Sequence, residues 1–199
     1  PEAGVISSGG RIVEETAPGQ FRIVLERRGG ENRLDLKTLL DIPLTGCRYW
    51  RRQTLAMLGG FSARYPFAHD RDLLVRAVLA RVPSATIDDV LYTYRQHPNS
   101  RTLGGDRDIT RAFLDEHYEM SGTWLRSPGL LGTEASEISQ WRRLQLAESF
   151  LLDFTSRRWG QVARTLGKHP PVLGLALCQA LRHRRRKLAY ESITKKEAS

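Results

Sequence analysis

The period of the hydrophobic pattern changes near residue 105, and that change bounds what the chain can fold into. Upstream, Val, Ile and Phe fall in short β-type runs at residues 4–7, 11–14 and 21–26. Ser7-Ser8-Gly9-Gly10 and Arg28-Gly29-Gly30-Glu31 separate them and read as turns. Residues 34–40 read as a short helix and residues 45–52 as a further strand. Leu73, Leu74, Ala77, Val78 and Ala80 keep a helical period over 72–81, which Pro83 stops. Ile87, Val90, Leu91, Tyr92 and Tyr94 predict a last, largely buried strand. From Asp106 the apolar spacing is helical throughout. Asp106 or Asp108 caps a helix to about Arg126, and a second helix over 137–157 carries Ile138, Trp141, Leu144, Leu146, Phe150, Leu151 and Phe154 as its stripe. Shorter helices are expected over 159–166 and 172–190. The expectation is α/β with a mixed sheet over 1–104, an α-helical C-terminal extension over 105–192, and a frayed polar tail over 193–199.

A chain of 199 residues with 40% hydrophobic and 27% charged residues is too apolar to be disordered and has room for one domain or one and a half. It opens on Pro1 rather than Met, so it is expected to begin after processing or inside a longer protein. Cys47 and Cys178 are far apart and make neither a metal spacing nor a disulfide framework. Buried free thiols in a reducing compartment are expected. No apolar run reaches the roughly 18–20 residues of a membrane span.

The net charge of +9 suggests a polyanionic partner. Its sharpest expression is Arg182-His183-Arg184-Arg185-Arg186-Lys187. A solvated helix end whose cations answer the C-terminal dipole is the ordinary reading. A surface helix on anionic lipid, with Leu173, Leu177 and Leu181 on its other face, is the next. Nucleic acid comes last, because no docking motif accompanies the run.

The chemistry-bearing stretch is 46–100. It contains Cys47-Arg48-Tyr49-Trp50-Arg51-Arg52, then Leu58-Gly59-Gly60-Phe61, then Phe67-Ala68-His69-Asp70-Arg71-Asp72-Leu73-Leu74-Val75-Arg76, and closes on Tyr94-Arg95-Gln96-His97-Pro98-Asn99-Ser100. Taken singly, Asp70 and Asp72 read as helix caps, Gly59-Gly60 as a tight turn, and His97 as a structural histidine.

Taken in order, these motifs resemble the second half of the family-2 inverting glycosyltransferases, over roughly residues 1–103. The resemblance implies a partial GT-A-like mixed sheet, a nucleotide-sugar donor, and a carbohydrate or lipid-linked acceptor. It implies Asp70 as the general base that takes a proton from the acceptor hydroxyl. Gly59 and Gly60 would line the substrate side, Asp72 and Arg76 would hold the loop in shape, and Arg95 and His97 would sit near the diphosphate. His69, Asp72 and Arg101 join the substrate-binding set, and His97 is the one residue assigned to a metal. Two departures stand out. His69 occupies the position of the usual Glu, and Arg71 that of a frequent aromatic. A cation beside Asp70 favours its carboxylate form and weakens it as a base. The family's divalent metal, Mg or Mn, is held mainly by an Asp-x-Asp motif that this sequence lacks in the corresponding place. Asp88-Asp89 has the wrong spacing, and Asp106-x-Asp108 follows the Tyr-Arg-x-His motif and reads as a cap. The enzyme is expected to be bacterial and cytoplasmic, at the inner face of a membrane, with this stretch inactive by itself. The alternative is a non-catalytic helical module that binds membrane or a partner through its basic end.

Overall fold

The computed structural model describes residues 2–41, 43–97 and 106–181. They form two compact units, one ending at Ser139 and the other starting at Gln140.

The first unit runs β1 (Val5–Ala17), β2 (Gln20–Arg27), a 3-10 turn (Gly29–Glu31), α1 (Leu36–Leu40), β3 (Arg48–Trp50), α2 (Arg52–Met57), α3 (His69–Leu79), β4 (Ser84–Gln96), α4 (Arg107–Trp124) and the start of α5 (Gly132–Thr155). β1 is the axis. It pairs antiparallel with β3 through Val5–Ser7 and with β2 through Gly10–Ala17, and parallel with β4 through Val5–Glu14. Val5 pairs with both Trp50 and Ser84, and Gly10 with both Arg27 and Tyr92. Hence β2 and β3 share one edge of β1, and β4 takes the other. The fold is mixed α/β around a four-stranded sheet.

Several elements differ from the sequence expectation. Ser7-Ser8-Gly9-Gly10 is not a turn but the middle of β1. Its glycines serve close approach: a Cβ on Gly9 would lie 2.8 Å from the Arg27 carbonyl oxygen, and one on Gly10 would lie 2.3 Å from Cys47 Sγ. The hairpin turn comes later, at Pro18-Gly19, where Gly19 has φ +76° as a type II turn requires. The strand expected over 45–52 is cut to three residues and followed by α2.

β4 is longer than expected and is not largely buried. Residues 84–89 are exposed, residues 90–96 alternate between half-buried and exposed, and among the described strands it pairs only with β1. An edge strand with one covered face gives that alternation.

α3 starts at His69, so Asp70 and Asp72 lie within the helix rather than before it. Its N-cap, Ala68, has no capping side chain. Glu116 of α4 does that work from outside, accepting the Phe67 and Ala68 backbone N–H groups at 2.9 Å each. α4 therefore belongs with the sheet, although the sequence pattern ends the first region at 104. Asp106 caps α4 as expected, accepting from the Asp108 and Ile109 amides.

In the second unit, the end of α5, α6 (Trp159–Lys168) and a helical stretch at 172–181 enclose Ala147, Phe150, Val162, Val172 and Ala176. Phe154, expected in the α5 stripe, is half exposed, with Trp159 edge-on to it at 5.4 Å. Cys47 is buried as expected, whereas Cys178 is exposed. Residues 182–187 and the 193–199 tail lie outside the described residues.

Two predictions follow from the packing. A Cβ on Gly29 would meet the Ile87 carbonyl oxygen at 2.0 Å, while one on Gly30 has its nearest neighbour at 3.6 Å. Gly29→Ala is expected to cost about 2 kcal/mol or more and Gly30→Ala under about 0.5 kcal/mol, as read by urea unfolding. Burial also raises the Cys47 thiol pKa. In a thiol-reagent titration only Cys178 is expected to react quickly in the native protein, with Cys47 following after denaturation.

Candidate active site

Alternation along the sheet sorts the site. Gly10 and Ile12 of β1 stand opposite Tyr92 and Tyr94 of β4, so these four share one face. On that face lies a cavity of about 460 Å³. Ile12, Tyr92 and Tyr94 line it from the sheet. Pro43, Leu44, Thr45 and Gly46 line it from the loop before β3, Asp70 and Arg71 from α3, and Phe113 from α4. The volume falls in the range of small-molecule sites. Glycine at position 46 is a packing requirement, because a Cβ there would lie 2.6 Å from the Tyr92 ring.

Asp70 is half-buried in this wall and held at both oxygens. Oδ2 accepts the Thr45 hydroxyl at 2.6 Å, and Oδ1 accepts the Arg71 backbone N–H at 2.7 Å. A carboxylate has about four acceptor positions, so two remain for a ligand. The first turn of α3 also favours negative charge there. Arg71 turns its guanidinium to the end of α1, where Nη1 donates to the Leu39 carbonyl at 2.9 Å and more weakly to that of Asp41 at 3.4 Å. Burial lowers its pKa to about 10, with the charges of Asp70 and Asp41 acting in the opposite sense, so it stays cationic at neutral pH. Burial also raises the pKa of the Tyr92 phenol, and Cys47, Tyr94 and Asp70 add to that rise.

Asp72 is different in kind. It is 4% exposed, accepting Trp124 Nε1 at 3.0 Å on Oδ1 and Arg76 Nε at 2.9 Å on Oδ2. Arg76 then donates to the carbonyls of Leu58 and Gly60. This network ties α3 to α4 and to the end of α2, and Asp72, also expected to bind substrate, does not line the cavity. Gly59 and Gly60 have φ +76° and +68°, and a Cβ on either would meet nothing within 4 Å. Their glycine is set by left-handed backbone at the end of α2, and neither lines the cavity. His69 is the first residue of α3, with its ring edge-on to Phe61 at 5.5 Å.

Arg95 falls on the opposite face from Tyr94, because neighbouring strand residues point to opposite sides. There it pairs with Glu15 and sits 5.4 Å from the centroid of Phe21. It does not line the cavity that Asp70 lines. His97 follows β4 and does not line the cavity, and Arg101 lies outside the described residues. Among the described residues no three His, Cys, Asp or Glu side chains come together to hold a metal ion.

The sequence reading missed Thr45, the Tyr92 and Tyr94 rings as walls, and Phe113. The Tyr-x-Tyr spacing alone puts both rings on one strand face. Nothing local to Phe113, some 40 residues from Asp70 in the chain, indicates that it meets them.

Comparison with protein-family models, curated proteins and solved structures finds no match to this chain.

The two aspartates should separate in a stability measurement. Asp72→Ala leaves Arg76 and the Trp124 N–H without their buried acceptor and is expected to cost about 3–5 kcal/mol in urea unfolding followed by tryptophan fluorescence. Asp70→Asn keeps the shape of a half-buried group and is expected to cost under about 1 kcal/mol.

Proposed function

We propose that this chain carries the acceptor side of an inverting glycosyltransferase, with Asp70 as general base. The observation that carries the reading is the placement of Asp70. It is a half-buried carboxylate in the wall of a ligand-sized cavity, fixed by Thr45 and its own helix, with acceptor positions to spare. A base must reach the proton it takes, and geometry comes before pKa in judging one. The order of motifs that resembles family-2 enzymes agrees with the placement.

In the proposed step, an acceptor hydroxyl enters the cavity and donates a hydrogen bond to Asp70. As its oxygen attacks the anomeric carbon of the nucleotide-sugar, the proton passes to the carboxylate. The bond to the nucleotide diphosphate breaks on the opposite face, and the configuration inverts. Thr45 and the Arg71 amide hold the base in one orientation, which lowers the cost of alignment. Tyr92, Tyr94 and Phe113 give the cavity aromatic walls suited to the apolar face of a sugar ring.

The experiment is sugar transfer from nucleotide-sugar donors to carbohydrate acceptors by the polypeptide as the cell makes it, with product configuration read by NMR. Asp70→Asn is expected to lower kcat by about 10²–10⁴-fold with its fold intact. Unchanged turnover in that variant, or a retained anomeric configuration, would remove the assignment. Phe113→Ala is expected to raise the KM for acceptor about tenfold, with a smaller effect on kcat.

A further inference from the structure

The helical stretch at 172–181 in the second unit is apolar on every side. Its sequence is Val172-Leu173-Gly174-Leu175-Ala176-Leu177-Cys178-Gln179-Ala180-Leu181, without a charged residue. The one polar side chain, Gln179, donates to Glu148 at 3.0 Å. Val172 and Ala176 are buried against α5 and α6, and Leu175 packs beside them. The other side is open: Leu173, Leu177 and Leu181 are 58%, 63% and 51% exposed, and Cys178 beside them is exposed too. Spaced four residues apart, these leucines recur about every 6 Å along one side of the helix. A helix apolar all round is normally covered all round, and a row of this kind differs from isolated surface leucines.

The charge that follows selects the cover. Directly after Leu181 come Arg182, Arg184, Arg185, Arg186 and Lys187. An apolar ridge joined to a dense run of cations is complementary to a layer whose surface is anionic and whose interior is apolar. Among the described residues no helix is long and apolar enough to cross a membrane, so the ridge would lie on a bilayer rather than span it.

We propose that Leu173, Leu177 and Leu181 dock the second unit on an anionic lipid surface, the positive charge of the sequence that follows them selecting that lipid. The leucines enter the headgroup–acyl boundary. This surface is independent of Asp70 and of the sugar-transfer reading.

The test is co-sedimentation of the full chain with phosphatidylcholine vesicles, with and without phosphatidylglycerol. Binding is expected with the anionic lipid and to weaken as salt is raised. Leu173→Gln with Leu177→Gln is expected to lower partitioning by at least about tenfold. Arg184→Gln, Arg185→Gln and Arg186→Gln are each expected to lower it about fivefold. Both sets alter exposed or charged positions, and circular dichroism checks their fold. An environment-sensitive dye on Cys178 of the otherwise unmodified chain should shift to the blue with anionic vesicles. No vesicle binding, no dye shift, or a double-leucine variant that binds as well as the parent would overturn the proposal. So would a dimer that the leucine variant dissociates, or tight duplex-DNA binding, in a chain that ignores vesicles.

Discussion

A carboxylate in a protein interior is stable only if its charge is answered by donors, and the first unit is arranged around one such group. Asp72 joins Trp124 of α4 to Arg76 of α3, and Arg76 continues to the Leu58 and Gly60 carbonyls at the end of α2. Losing any of these donors leaves a buried charge or dipole unpaired, which is far costlier than losing a surface pair. The node therefore fixes how α4 crosses α3. That crossing brings Glu116 to the uncapped start of α3 and Phe113 to the cavity. Asp70, one residue into α3, takes its place from the same constraint. The residue that would do the chemistry and the residue that holds it in place are two positions apart on one helix.

β1 imposes the second constraint. Flanked on both edges, it must admit close neighbours, and Gly9 and Gly10 allow this where side chains would collide with Arg27 and Cys47. The period-2 alternation of β4 then divides the residues of the Tyr-Arg-x-His region between two environments. Tyr92 and Tyr94 turn to the cavity, and Arg95 turns to the face where Glu15 and Phe21 meet it. A motif read as one functional group is split by the pleat of the strand that carries it.

Much of the architecture was legible because it follows from local pattern. The switch from strand-like to helical spacing near 105 and the Asp106 cap both follow from residue type and interval. The turn assigned to Ser7-Ser8-Gly9-Gly10 went astray because glycine marks either a bend or a close approach, and only neighbours from β2, β4 and the Cys47 loop decide which. The boundary set at 104 went astray for a similar reason. α4 has a helical pattern of its own, and nothing in that pattern records that its Trp124 and Glu116 are spoken for by α3.

By itself the sequence determined the change from strands to helices near residue 105, the position of Asp70 at the start of an amphipathic helix, and the abrupt passage from an uncharged apolar stretch to a run of arginines. These are properties of residue type and interval along one chain. Tertiary structure alone decided that Thr45 fixes the Asp70 carboxylate, that Phe113 and the two tyrosines wall one cavity, that Arg95 faces away, and that Leu173, Leu177 and Leu181 stay uncovered while Val172 and Ala176 do not. Each of these depends on which distant segments pack together, and a side chain's surroundings are set by packing in space rather than by its neighbours in sequence.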